Sequence, residues 1–381
     1  MIVPSMRPTS RAFALALLLA ACSDTTAPEP RIVEGVDLDA LFADPTPDEI
    51  AAVSAEWAMR APAASAVVVE RDTVVELGAD SLRVRVVSHD VDGVRHYGAV
   101  LALDTLTGPA PVIVYAHPGD EGASVDELLF LFPFLGGNAS RFVWVVPSFR
   151  SEGLTFGADL WESDGPPSPW DRDVDDALSL LDVALALETA ADPTSVGVLG
   201  FSRGAGVGLL MGIRDPVIDR IVAFFGPTDF FDGFVQDVVA DALRGSAPAL
   251  PGILYLDEAW IQPLRRGEIS LAQVRVELVR RSAVLFADRL PEVQIHHGTA
   301  DPVVDVSQAR SLIDAMASLG RGEPEFQAFI YPDGTHNPLG LPGSVTRTVE
   351  FLIGLLPQPP TRAPDIGVCF GGACRARGSG S

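Results

Sequence analysis

The stretch VGVLGFSRGAGVG, Val196 to Gly208, runs from apolar residues of strand type through Gly-x-Ser-x-Gly into a small-residue, apolar segment of helix type. Read as a buried strand that turns at once into a helix, it puts Ser202 on the turn itself. Gly200 and Gly204 then leave room for backbone where a side chain would clash. A serine held this way raises its hydroxyl above the strand ends, beside the free N–H groups of a helix start, which favour developing negative charge. The pattern therefore predicts a sheet type and a nucleophile together.

Outward from this turn the same strand type recurs. VIVYA (Val112–Ala116), FVWVV (Phe142–Val146), RIVAFF (Arg220–Phe225), VQIH (Val293–His296) and FQAFIY (Phe326–Tyr331) are short, nearly apolar runs separated by helical stretches. Continuous apolar runs mark strands covered on both faces, so the alternation predicts an α/β fold with a mostly parallel central sheet and helices on each side. Before Val112, VVVERDTVVEL, LRVRVVS and HYGAVLAL are rich in β-branched residues and broken by Gly and Asp, which predicts antiparallel strands. The spacing from Asp171 predicts a helix with Val174, Ala177, Leu178, Leu181, Ala184 and Leu185 on one face and acidic residues in its first turn.

A serine hydroxyl is a poor nucleophile and needs a base, normally an imidazole oriented by a carboxylate. Only His296, His297 and His336 follow Ser202, and the order expected after such a turn is serine, acid, histidine. HHGTADPVV places Asp301 in a loop beyond the end of the VQIH strand, and YPDGTHNP places His336 in the next such loop. Ser202, Asp301 and His336 satisfy both order and loop position. Asp305 is the rival acid, but VSQAR after it reads as a helix with Asp305 as its cap. His296 and His297, at a strand end, read as structural. The N–H of Arg203 would supply one donor to an oxyanion, and the N–H of Gly119 or Asp120, in AHPGDEG, the other. Arg150 in PSFRSEG reads as pairing with a loop acid that holds the site, in preference to a substrate carboxylate. Trp161 and Trp170 either line the pocket or cover the loop between helices.

With 381 residues, 48% of them hydrophobic, the chain is sized for one large domain. The formal charge of −24 disfavours nucleic acid and anionic lipid headgroups as electrostatic partners. All 27 basic residues are arginine. Without an amine there is no Schiff-base lysine, phosphate-loop lysine or Ser–Lys dyad. Cys369 and Cys374, in CFGGAC, read as a small disulfide loop; the tail has no histidine to make a zinc site with them. No metal is expected.

At the N-terminus, Arg7 and Arg11 precede an apolar run from Ala12 to Ala21, too short to span a bilayer but suited to a secretory signal. LAAC, Leu19 to Cys22, resembles the lipobox of bacterial lipoproteins, which implies removal of residues 1–21 and a lipid on Cys22. The chain would then be extracytoplasmic and anchored through that lipid alone; a soluble secreted protein is the alternative. Residues 22–66 are expected to form a tether and N-terminal extension, the tether running to about Pro47. A catalytic domain over 67–357 and a tail over 358–381 follow.

Taken in order, VIVYAHPGDEG, PSFRSEG, GFSRGAG, HGTADPVVDVSQAR and DGTHNP resemble the α/β-hydrolase superfamily, in particular the prolyl oligopeptidase catalytic domain and related esterases, from Val67 to Leu356. The resemblance implies an α/β-hydrolase fold with Ser202 as nucleophile, Asp301 as acid and His336 as base. It also implies an acyl-enzyme formed without metal or organic cofactor. Three departures qualify it. Pro118 stands where such loops usually carry glycine. Residues 230–290, including LDEAWIQPLRRGEISLAQVRVELVRR, are longer than compact members need and read as a helical lid, with Phe230, Phe231, Phe234 and Trp260 able to face the site. About 85 residues between Cys22 and the first parallel strand are too few for the β-propeller of the family's peptidases. A small ester is therefore the expected substrate. A prolyl oligopeptidase-type peptidase is the alternative. A non-catalytic surface binding protein, the alternative of another class, would be expected to lack a triad member.

Overall fold

A computed structural model of the chain describes residues 29–60 and 62–357. Cys22 with the leader before it, and Cys369 and Cys374 in the tail, lie outside the described residues. Among the described residues the central sheet has nine strands: β1 (Ser65–Leu77), β2 (Asp80–Val91), β3 (Val94–Leu103), β4 (Ala110–Ala116), β5 (Val143–Pro147), β6 (Ala191–Phe201), β7 (Ile218–Phe224), β8 (Glu292–Gly298) and β9 (Phe326–Tyr331). They lie in the order β9-β8-β7-β6-β4-β5-β3-β2-β1. The first three pair antiparallel, as does β3 with β5, and from β5 across to β9 every pairing is parallel. This is the α/β-hydrolase arrangement.

The apolar runs are continuous because each parallel strand feeds two cores. Val112, Val114, Val196 and Val198 point into one, and Ile113, Tyr115 and Leu199 into the other. The first core is closed by α1 (Pro47–Met59), α3 (Arg172–Leu187), α4 (Arg203–Arg214) and α7 (Ser307–Ser318), the second by α2 (Val125–Leu135) and α8 (Ser344–Leu352). Alternate side chains of an extended strand leave by opposite faces, so two covered faces favour apolar residues at every position.

One expectation is corrected at the N-terminal side. The tether does not run to Pro47, because Val36, Leu38, Leu41 and Phe42 are buried in the first core together with Val53 and Trp57 of α1. Thr46 caps α1 in a reciprocal capping box with Glu49, and Pro47 opens the helix. Arg275 then clamps this segment. Its guanidinium donates to the carbonyls of Leu41 (2.9 Å) and Ala43 (2.8 Å) and to the Glu49 carboxylate (2.7 Å). The segment belongs to a stretch rich in Thr, Pro and acidic residues, but its apolar residues fall where they can be buried.

Residues 230–290 are largely helical, as expected, with α5 (Gly233–Leu243), a broken helical run over residues 253–265 and α6 (Leu271–Arg281). They pack on the first core beside the C-terminal ends of the parallel strands. Those ends also carry the loops of Gly119, Ser202, Asp301 and His336, at the edge where open α/β sheets bind ligands.

Candidate active site

Ser202 follows the last residue of β6, and its N–H donates to the Phe224 carbonyl at the end of β7 (2.9 Å). Its backbone stands at φ +52°, ψ −119°, a conformation costly for a residue with a side chain, by roughly 1–3 kcal/mol. The glycines on either side explain how the turn closes. A Cβ on Gly204 would run into the carbonyl oxygen of Ala116, and one on Gly200 would lie 2.8 Å from the Ala205 backbone. α4 therefore packs directly on the ends of β4 and β6, and Ser202 sits at its first turn.

Asp301 and His336 come from the loops after β8 and β9. His336 Nδ1 donates to Asp301 Oδ2 at 2.7 Å, while Asp301 Oδ1 accepts the N–H groups of Val303 (2.8 Å) and Val304 (3.0 Å). Two more glycines bring these loops together. A Cβ on Gly298 would collide with Gly334, and the Ala300 N–H donates to the Gly334 carbonyl (2.9 Å). Burial pushes the Asp301 carboxyl up, but the hydrogen bonds from His336, Val303 and Val304 outweigh it and hold the group below the ordinary carboxylate range. The His336 ring lies on Phe225, centroids 4.1 Å apart, and Phe225 also meets Phe201, the residue before Ser202 (6.4 Å). With Nδ1–H bonded to Asp301, Nε2 carries the lone pair a base needs.

The neighbouring polar residues divide as their contacts dictate. Asp305 accepts the Ser307 N–H (2.8 Å) at the start of α7. His296 is held between Tyr331 Oη (2.8 Å) and Gln294 (2.9 Å), and His297 Nε2 bonds the Val304 carbonyl (2.9 Å). His297 thus buttresses the loop that carries Asp301.

Sequence reasoning missed the charged cluster beneath the turn. The side chain of Arg203 is buried and reaches Asp173 (2.8 Å) and Glu152, with a further bond to the Gly119 carbonyl (3.3 Å). Glu152 also approaches His117 Nε2 (3.4 Å). Burial pushes Asp173 and Glu152 up and pulls His117 down to about 3, so that histidine is neutral. Asp173 and Asp175 lie in the first turn of α3, as expected, and with Asp176 just after them they are buried: Asp173 on Arg203, Asp175 on Arg214 and Arg60, and Asp176 on Arg150. Arg150 meets that helix acid, and not a loop acid, through a two-pronged bond (3.1 and 2.6 Å). The only signal in the sequence was a dense run of acids beside arginines with no lysine in the chain; guanidinium groups suit buried carboxylates because they bind them in pairs of bonds. Removing one partner of such a cluster strands the others. Arg203→Met is expected to cost about 3–5 kcal/mol of stability, read as a lower urea midpoint at unchanged slope.

Arg203 also ties the turn to the expected oxyanion loop, because its guanidinium holds the carbonyl of Gly119, whose φ is +72°. Asp120 Oδ2 accepts the N–H of Gly252, which joins this loop to the helical segment above. A narrow cavity, partly open to solvent, contains Ser202 and Arg203, with Trp170, Phe230, Phe234, Val235, Ile253 and Val304 among its walls. Trp170 is held there by its bond to the Arg203 carbonyl (3.1 Å), and Gly206 leaves the space its ring occupies. Trp161, in contrast, packs on the second core. Of the four aromatics expected over the site, Phe230 and Phe234 line the cavity. Phe231 turns to Phe42 and Arg275, and Trp260 lines a separate cavity. The helical segment is thick enough to bury part of its own apolar face, which is where those two residues go.

No protein-family model matches the sequence, and no curated protein matches it. Among solved structures, the chain is similar to acetyl xylan esterase 1 from Thermoanaerobacterium sp. JW/SL YS485, with a TM-score of 0.57 and 16% identity over 84% of this chain and 99% of that one. An acetyl xylan esterase from Paenibacillus sp. R4 gives a TM-score of 0.53 at 16% identity, over 86% and 96% of the two chains. At this identity the likeness establishes the fold.

Proposed function

We propose that the chain is a serine hydrolase acting on carboxylic esters through an acyl-enzyme. The observation that carries this reading is the 2.7 Å bond from His336 to Asp301, made between two loops beside the strained Ser202 turn. On this reading Ser202 Oγ attacks the ester carbonyl carbon while its proton passes to His336 Nε2, and Asp301 steadies the imidazolium. The N–H groups of Arg203 and of Gly119 or Asp120 take the oxyanion. The C–O bond to the alcohol then breaks, the alcohol leaves with the proton from His336, and water, deprotonated by the same imidazole, releases the acid.

Preference for an ester over a peptide is supported by the cavity. Its walls are apolar apart from Ser202 and Arg203, and the Arg203 guanidinium is already engaged by two carboxylates. A peptide brings backbone donors and acceptors that such walls leave unpaired, at a cost of roughly 1–3 kcal/mol each. The acetyl esterases of similar fold agree with this preference at the level of analogy. Export and lipid anchoring through Cys22 belong to the same proposal and are supported by the LAAC pattern.

A fluorophosphonate probe should label the protein once, at Ser202, and the labelled protein should lose hydrolysis of p-nitrophenyl esters. Casein should survive incubation with the unlabelled protein. Labelling at another residue would remove the nucleophile assignment. Casein digestion that stops on labelling of Ser202 would turn the reading to a peptidase.

A further inference from the structure

The Ser202 cavity does not end the apolar space under the helical segment. A second, narrow cavity, also partly open, lies between α5, the helical run over 253–265 and α6. Phe230, Val235 and Ile253 line both, so these three side chains form the partition between them. The far side is walled by Val239, Ala242 and Trp260. Its charged members are already committed. Arg281 pairs with Glu277 (2.7 Å) and donates to the Pro169 carbonyl (2.9 Å), while Asp257 accepts from Gln262 (2.7 Å). Apart from Trp260 Nε1, a buried N–H without a hydrogen-bond partner, the lining is apolar or already paired.

The geometry also separates the two halves of an ester. His336 is not among the walls of the Ser202 cavity, although Val303 and Val304, beside its partner Asp301, are. An alcohol must take its proton from His336, so it leaves on that side of Ser202. The cavity is left for the acyl group, which stays on the enzyme until water arrives.

We propose that the second cavity is the distal end of an acyl-chain subsite, entered between Phe230 and Ile253, and that the preferred substrates are esters of straight-chain carboxylic acids longer than butyric acid. This rests on the ester hydrolase reading of Ser202. An apolar chain gains about 0.8 kcal/mol for each methylene taken from water, a factor of about four in kcat/KM if the gain is kept in the transition state.

The test is a series of p-nitrophenyl esters, from acetate through butyrate and octanoate to decanoate, together with octyl acetate. Wild-type kcat/KM should climb from butyrate to octanoate by at least about tenfold, and octyl acetate should show no such gain over ethyl acetate. Val239→Trp, which fills the second cavity, should lower the octanoate-to-butyrate ratio by at least about tenfold. Trp260→Ala, which enlarges it, should move the optimum to a longer chain; the two variants err in opposite directions, so a folding defect in one does not remove the other. A wild-type optimum at acetate, or ratios unchanged in both variants, would overturn the subsite. So would a gain carried by the alcohol chain. If no ester is turned over at all, the hydrolase reading itself fails, which is a different result from a flat chain-length profile.

Discussion

Ser202→Ala is expected to lower kcat for ester hydrolysis by about 10⁶ while the protein stays folded. The two effects are separable because the hydroxyl does not cap α4; deleting it strands no hydrogen-bond partner at the helix start. The backbone conformation at φ +52° is as costly for alanine as for serine, so no strain is released. Ser202→Gly separates chemistry from strain more sharply. It should be just as inactive, yet more stable than Ser202→Ala by about 1 kcal/mol, since glycine adopts this conformation freely. Circular dichroism melts of the two variants beside the wild type, with initial rates on one ester, measure both quantities. Turnover by Ser202→Ala within about tenfold of the wild type would end the nucleophile assignment.

The sheet was legible in the sequence because burial on both faces removes ambiguity. Strands such as Val112–Ala116 and Val196–Gly200 have no polar position to blur the pattern, and glycines at 200 and 204 mark a turn with few structural alternatives. The pairing of the Asp301 and His336 loops was legible for a related reason. Loop position at a strand end is set by the chain, and Gly298 and Gly334 press the Asp301 and His336 loops together wherever else their side chains turn. What stayed hidden was set by contacts between distant segments. Arg203 with Glu152 and Asp173, spaced across about fifty residues of chain, form a cluster that no local periodicity encodes. Residues 36–42 were misread for the opposite reason: grouped with the Thr-, Pro- and acid-rich stretch around them they read as a solvated tether, but four apolar side chains and the grip of Arg275 suffice to bury them. Within residues 230–290 composition announced helices, but only packing decides that Phe230 lines the Ser202 cavity while Phe231 faces Arg275.

The second large effect concerns the acid. Asp301→Asn should lower kcat by about 10⁴ with a KM close to that of the wild type. The carboxylate is enclosed and accepts three hydrogen bonds, one from His336 and two from the backbone of its own loop. Because those bonds outweigh burial and hold its pKa below the ordinary range, it is ionised at neutral pH and forces the proton of His336 onto Nδ1. An asparagine side chain keeps the shape and can keep the backbone bonds through its carbonyl oxygen, but it turns an N–H toward His336. The imidazole then presents its lone pair to that amide and its proton to Ser202, which is the wrong tautomer for a base. Asp305→Asn is the control. That side chain holds the first turn of α7 through the Ser307 N–H, and its replacement should leave kcat within about threefold. Steady-state kinetics on both variants decide between the two acids: a collapse in Asp305→Asn with Asp301→Asn near the wild type would reassign the orienting carboxylate to the helix start. A collapse only in Asp301→Asn supports the loop after β8, where the 2.7 Å bond to His336 already lies.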